Sequence, residues 1–302
     1  MHGWNKAHPK CRACHIAWNA CLMLLTALLI RPPQANAQTG TTALATGLAM
    51  DGEHAGAALE FRRQAMATGT PAAQAGYYWA AAYEYYRAGD HERTGSMLDN
   101  AENQDPAITP PALLLRGENA FATHKWAEAD FYYNSMAQTA TGATARLASR
   151  RIAAARLYQG QPDEAMRALG SVQDQDTVGM DAIKRYQHGH DKSPKLGGLM
   201  GLVPGLGYAY SGEFANAARS LILNSLFIFG MKQTGDDEEW GAFAVISFFE
   251  ITWYSGSIYG GIDAAHRYNQ NRMDECTTAI NGQSAFEPDY ATLPVVTLTF
   301  KF

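Results

Sequence analysis

Charged residues, usable cysteines and alternating strand patterns are all scarce in this chain of 302 residues. Only 18% of it is charged, with 24 basic against 29 acidic side chains. Lys6, Lys10, Arg12 and Arg31 lie in the first 37 residues, which hold no acid; the remainder carries 20 basic and 29 acidic residues, a net of −9. An acidic chain without a basic cluster argues against a nucleic-acid partner. Three of the four cysteines, Cys11, Cys14 and Cys21, fall in the same first stretch, leaving Cys276 with no intrachain partner. Stability must then come from packing rather than cross-links.

Chemistry-bearing patterns are equally thin. Cys11-Arg-Ala-Cys14-His15 has the letters of a c-type haem attachment site, but it precedes an apolar run and would stay cytoplasmic or be discarded. His188, His190 and Asp191 lack a further ligand nearby, so they read as part of a solvated linker rather than a metal site. The glycine-rich stretch 196–212 lacks the Lys-Ser/Thr of a phosphate loop. No nucleophile–base–orienter set and no paired carboxylates stand out. The expectation is a non-catalytic protein with no cofactor or metal.

Residues 1–37 read as a secretory signal peptide. Basic residues precede the apolar run Ile16 to Ile30, and Ala35 and Ala37 supply the small-x-small pattern of a peptidase site, placing cleavage after Ala37. An uncleaved anchor helix is the alternative. Either version exports the rest of the chain, to a periplasmic, membrane-associated location.

Residues 38–172 are Ala-rich and self-similar. The pattern Tyr78-x3-Ala82-x2-Tyr85-x3-Gly89-x4-Thr94-x3-Leu98-x2-Ala101-x4-Pro106 recurs upstream at Ala45, Gly52, Ala57 and Phe61, and downstream at Leu113, Gly117, Phe121, Trp126, Ala129 and Tyr133. It appears again at Ala153, Gly160, Ala165 and Leu169. The frame positions Ala57, Thr94, Ala129 and Ala165 are 37, 35 and 36 residues apart. Small residues suit close helix crossings and large ones fill the groove of the neighbouring unit. This resembles a degenerate tetratricopeptide array of helix-turn-helix repeats, although Thr94 replaces an Ala and His124 replaces a turn Gly. A generic Ala-rich helical bundle is the plainer alternative.

Two aromatic stripes lie on one helix here, Tyr78 with Tyr85, and Trp79 with Tyr83 and Tyr86. One must be core. The other either packs in the core as well or, as the resemblance implies, lines a concave surface for an envelope protein or peptide, with Tyr77, Trp79, Tyr83, Tyr86 and Tyr132 as candidate contacts. Phe131, Tyr132 and Tyr133 cannot all face inward. Residues 173–195 read as a polar linker.

Residues 196–272 hold two apolar runs, Phe214 to Met231 and Trp240 to Ile262, each about the length of a membrane span. They come after Pro204-Gly205-x-Gly207-Tyr208-x-Tyr210-x-Gly212, which resembles the start of small bacterial two-helix membrane hairpins. That resemblance implies Gly for close backbone approach and Tyr for interfacial anchoring. A turn near Gly235–Asp236 would bring Arg219 and Glu250 to the same depth, where they could pair or snorkel. The alternative is a pair of helices buried in a soluble domain. An exported repeat module places the acidic 236–239 loop inside and the basic flanks outside, the reverse of the usual bias.

The tail, 273–302, ends with Val296, Leu298, Phe300 and Phe302 alternating with Thr297, Thr299 and Lys301, a period-two strand. It reads either as a strand that engages an outer-membrane barrel or as one packed on its own chain. The expected fold is thus mainly α: a tetratricopeptide-like solenoid, a hydrophobic helical hairpin and a short terminal strand. The expected role is an exported protein-binding scaffold held at a membrane; an accessory of outer-membrane assembly or secretion is the alternative.

Overall fold

The computed structural model describes residues 34–171, 176–282 and 285–301. Most of the expected signal segment, and Phe302, lie outside the described residues. The described chain is mainly α, with thirteen α-helices and one two-stranded sheet.

Eight helices come first: α1 (Gln34–Met50), α2 (His54–Ala67), α3 (Pro71–Arg87), α4 (His91–Gln104), α5 (Thr109–Ala122), α6 (Trp126–Ala137), α7 (Gly142–Tyr158) and α8 (Pro162–Gly170). Each packs chiefly on its sequence neighbours. Four of the turns share one geometry. Gly52, Gly89, His124 and Gly160 take positive φ of 81°, 77°, 60° and 74°. At each, the N–H of that residue bonds the carbonyl three residues back, and the next N–H bonds the carbonyl five back; Gly89 to Tyr86 and Asp90 to Tyr85 is one instance, His124 to Phe121 and Lys125 to Ala120 another. This cap satisfies helix-end carbonyls that would otherwise face solvent unpaired.

Five residues beyond each turn stand Ala57, Thr94, Ala129 and Ala165, all fully buried. A larger side chain would hold the paired helices apart. Gly117 makes the same point at the α5–α6 crossing, where an added Cβ would sit 2.4 Å from the ring of the fully buried Tyr133. The Tyr133 hydroxyl donates to Glu118 at 3.0 Å, and Arg151 Nε donates to the same carboxylate at 2.6 Å. Breaking such an enclosed pair by removing one partner typically costs about 3–5 kcal/mol.

The expected linker is mostly helix, which corrects the sequence reading of 173–195. Helix α9 (Thr177–His188) is capped by Asp176, whose side chain accepts from Gly179 N at 3.0 Å, and it buries Ala182 and Ile183. Two short helices come next, α10 (Pro194–Met200) and α11 (Leu206–Tyr210), then α12 (Phe214–Asp236) and α13 (Trp240–Asn281). With 42 residues, α13 is about 63 Å long. Its first half lies antiparallel to α12. Its second half packs on α7 and α9, placing Cys276 and Ile280 in the core beside the repeats, with Tyr158 Oη donating to Asp274 at 2.8 Å. Strands β1 (Ala285–Pro288) and β2 (Leu298–Lys301) close the chain as an antiparallel pair, with Phe286 opposite Phe300.

Two glycine substitutions separate backbone strain from crowding. Nothing lies within 4 Å of a Cβ added at Gly89, so Gly89→Ala should cost only the positive-φ penalty, about 1 kcal/mol. Gly117→Ala must displace the Tyr133 ring and should cost more, about 1–3 kcal/mol. Urea unfolding of both variants checks the order.

Candidate functional site

Two surfaces collect the residues singled out by sequence. The first is the face of the first eight helices on which the C-terminal tail rests. Trp79 and Tyr83 stack at 5.7 Å between ring centroids, and both are buried, as is Tyr77. This overturns their expected place on an open binding face. The chain's own tail covers part of this face: Phe286 meets Tyr83 edge-on at 5.8 Å, and Tyr290 stacks on Phe61 at 5.5 Å. Tyr85, on the other stripe, is buried too, so both stripes are interior. Tyr86 is half-buried against His91. Burial first, and the Glu118 carboxylate second, push its phenol up to about 12. Tyr132 is half-buried with its hydroxyl 3.4 Å from Glu128, while Phe131 is exposed and Tyr133 is core.

The tail is held by specific fits. The carbonyl of Pro294 rests against Gly76, where an added Cβ would be 1.7 Å from that oxygen. The Tyr290 hydroxyl bonds Glu84, a buried carboxylate that also meets His54 Nδ1 at 2.7 Å. Burial, then the Glu84 charge, raise the Tyr290 phenol far above its usual range, so it stays a neutral donor. Val296, Leu298 and Phe300 line a cavity of about 380 Å³ with Pro110, Leu114 and Met136. The terminal strand is therefore paired with β1 and packed inward, which counts against its expected engagement of a barrel.

The second surface is the α12–α13 pair with its glycine-rich approach. Gly205 takes a φ of 86° with its Cβ position 2.4 Å from Ala217 O, and an added Cβ on Gly207 would be 2.6 Å from Gly197 O and 2.8 Å from Gly261 Cα. Pro204 precedes this crossing and Gly212, at φ 85°, turns the chain into α12. Tyr210 Oη accepts from Ser193 N at 3.1 Å, and Lys192 lies over its ring at 4.9 Å. The motif thus brings three backbones together on α13 and contains no pendant reactive group.

The pair is built inside out. Leu221, Ile222, Phe229, Phe248, Ile251 and Trp253 are exposed, while Ser220, Asn224, Glu250 and Ser257 are buried between the helices. Ser220 Oγ donates to Ser257 Oγ at 3.1 Å, and Ser257 Oγ reaches Gly201 O at 3.3 Å. Helix α12 is long and apolar enough to cross a membrane by length and composition, and only 11% of its most apolar window is buried, unlike a core helix. The expected Arg219–Glu250 pairing does not form. The turn falls at 237–239, with Glu238 at φ 61°, so Ser220 lies by Ser257, Phe227 by Trp253 and Gly230 by Ile246. That register displaces Glu250 from Arg219 by about 12 Å along the axis. Glu250 is 8% exposed, with one carboxylate oxygen unpartnered, and Arg219 Nη1 donates to Asn216 Oδ1 at 3.3 Å.

Comparison with known protein families, with curated proteins and with solved structures finds no match.

Replacing Gly76 by Ala should dislodge the tail while leaving the helical repeats folded. The expected signature is faster protease cleavage within 285–301 and faster amide exchange there, with an unchanged far-ultraviolet circular dichroism spectrum.

Proposed function

We propose that the chain is a non-catalytic scaffold of the bacterial cell envelope, in which a tetratricopeptide-like module binds an envelope protein or peptide and the α12–α13 hairpin holds it at a membrane. One observation carries the membrane part: α12 and α13 turn apolar side chains outward and polar ones toward each other. In water, each exposed large apolar side chain forfeits about 1.5–3 kcal/mol of burial. In a bilayer the same face is solvated by lipid, and polar residues belong between the helices. The exposed apolar residues of 196–206 add to this apolar surface, and the aromatic residues Tyr208, Tyr210, Trp253 and Tyr259 are of the type that anchors at membrane interfaces.

The four turns of one geometry support the repeat reading, since they recur at the spacing of the sequence frame. The face under the tail accommodates an extended, alternately apolar segment of the same chain. A partner of that shape would compete with the tail for Tyr83, Phe61 and the Gly76 notch. The export reading rests on the sequence of residues 1–37.

The test is fractionation of cells expressing the full chain. The protein should sediment with membranes, resist alkaline carbonate and be released by detergent. Removing residues 285–302 should leave that distribution unchanged, because the hairpin rather than the strand provides the anchor. A freely soluble full-length protein overturns the membrane reading.

A further inference from the structure

Arg219 is the cation that the hairpin does not balance. It lies five residues into α12, about 8 Å along the axis from Phe214. Glu250, its expected counter-charge, is displaced by more than a helical turn. Among the described residues no carboxylate comes within ion-pair distance of Arg219, whose one hydrogen bond goes to the Asn216 amide oxygen. The nearby acid, Glu213, is already engaged: it accepts from Arg267 Nε and Nη2 at 2.9 Å each, and from Asn216 Nδ2 at 2.6 Å.

Arg219, an exposed residue, lines a cavity of about 300 Å³ between α11, α12 and α13. Tyr208 and Trp253 supply amphipathic rings, Leu223 an apolar wall, and the buried Ser220 and Ser257 a polar floor; Arg219 is the charged residue of the lining. The cavity lies toward the basic end of the hairpin, where Lys192, Lys195, His266 and Arg267 gather, opposite the acidic 236–239 turn.

We infer that this cavity binds the phosphate of a phospholipid headgroup, with Arg219 as its charged ligand. The inference rests on the membrane reading of the hairpin. An arginine fork matches two phosphate oxygens, and a cation near the bilayer boundary is stabilised by an anion at its own depth. The Tyr208 and Trp253 rings flank the position where the glycerol and first acyl carbons of such a lipid would run.

The test uses the full chain reconstituted into phosphatidylcholine vesicles with and without phosphatidylglycerol. Flotation reads membrane association, and mass spectrometry of the gently solubilised protein reads retained lipid. Wild type should float with both vesicles and keep a bound phospholipid. Arg219→Gln should float equally but retain about tenfold less lipid, as loss of a charge-assisted contact implies. Thr252→Leu, which fills the cavity and keeps the charge, should also lose the lipid. Equal lipid retention by wild type and both variants overturns the site while leaving the membrane reading standing. Failure of the wild type to float overturns the membrane reading itself. Displacement of the retained lipid by inorganic phosphate would identify free phosphate as the ligand and overturn the headgroup assignment.

Discussion

Helix α13 is the constraint on which the other parts depend. It is unbroken from Trp240 to Asn281 and packs against two different sets of helices. Its first half is clasped by α12 and the glycine-rich α10–α11 segment, and its second half is built into the core against α7 and α9. The joint between hairpin and repeats is helical where polar composition suggested a linker: α9 inserts Ala182 and Ile183 beneath α13. Arg272 fastens the same joint by meeting Asp191, donating to the Tyr186 carbonyl at 2.6 Å and lying over the Tyr186 ring.

The two halves bury opposite kinds of side chain. Around the repeats, alanines and aromatics are interior and charges are outside or paired, as for Glu118 with Arg151. Around the hairpin the order reverses, and glycine replaces alanine where backbones must nearly touch, as at Gly197 against Gly261. Between these helices the cohesion visible in the structure is close backbone approach and internal hydrogen bonds such as Ser220 to Ser257. One continuous helix carries both regimes.

Local features were legible in the sequence, and long-range ones were not. The turn positions Gly52, Gly89, His124 and Gly160, the small residues five positions later and the inward-facing Tyr133 all accord with helical period and backbone freedom. The continuation of α13 to Asn281 was missed, because the polar residues after Arg272 read as a tail, although no Gly or Pro interrupts 262–281. The fate of the aromatic stripe was hidden. Whether Tyr83 is open or covered depends on Phe286, about 200 positions away, and periodicity carries no such information. The Arg219–Glu250 expectation failed on a smaller matter: a turn two or three residues later doubles its displacement across an antiparallel pair.

The docked tail has a consequence for the order of events during synthesis. Tyr290 meets Glu84 across 206 positions, and every helix of the hairpin lies between them in the chain. The repeats can assemble by neighbour contacts as they emerge, but the face under the tail is covered only after α12 and α13 have been made and placed. Until then Tyr83 and Phe61 lack the rings of Phe286 and Tyr290 that pack on them. The nascent protein therefore passes through an interval in which this aromatic face is open, lasting at least until residues 285–301 have been made.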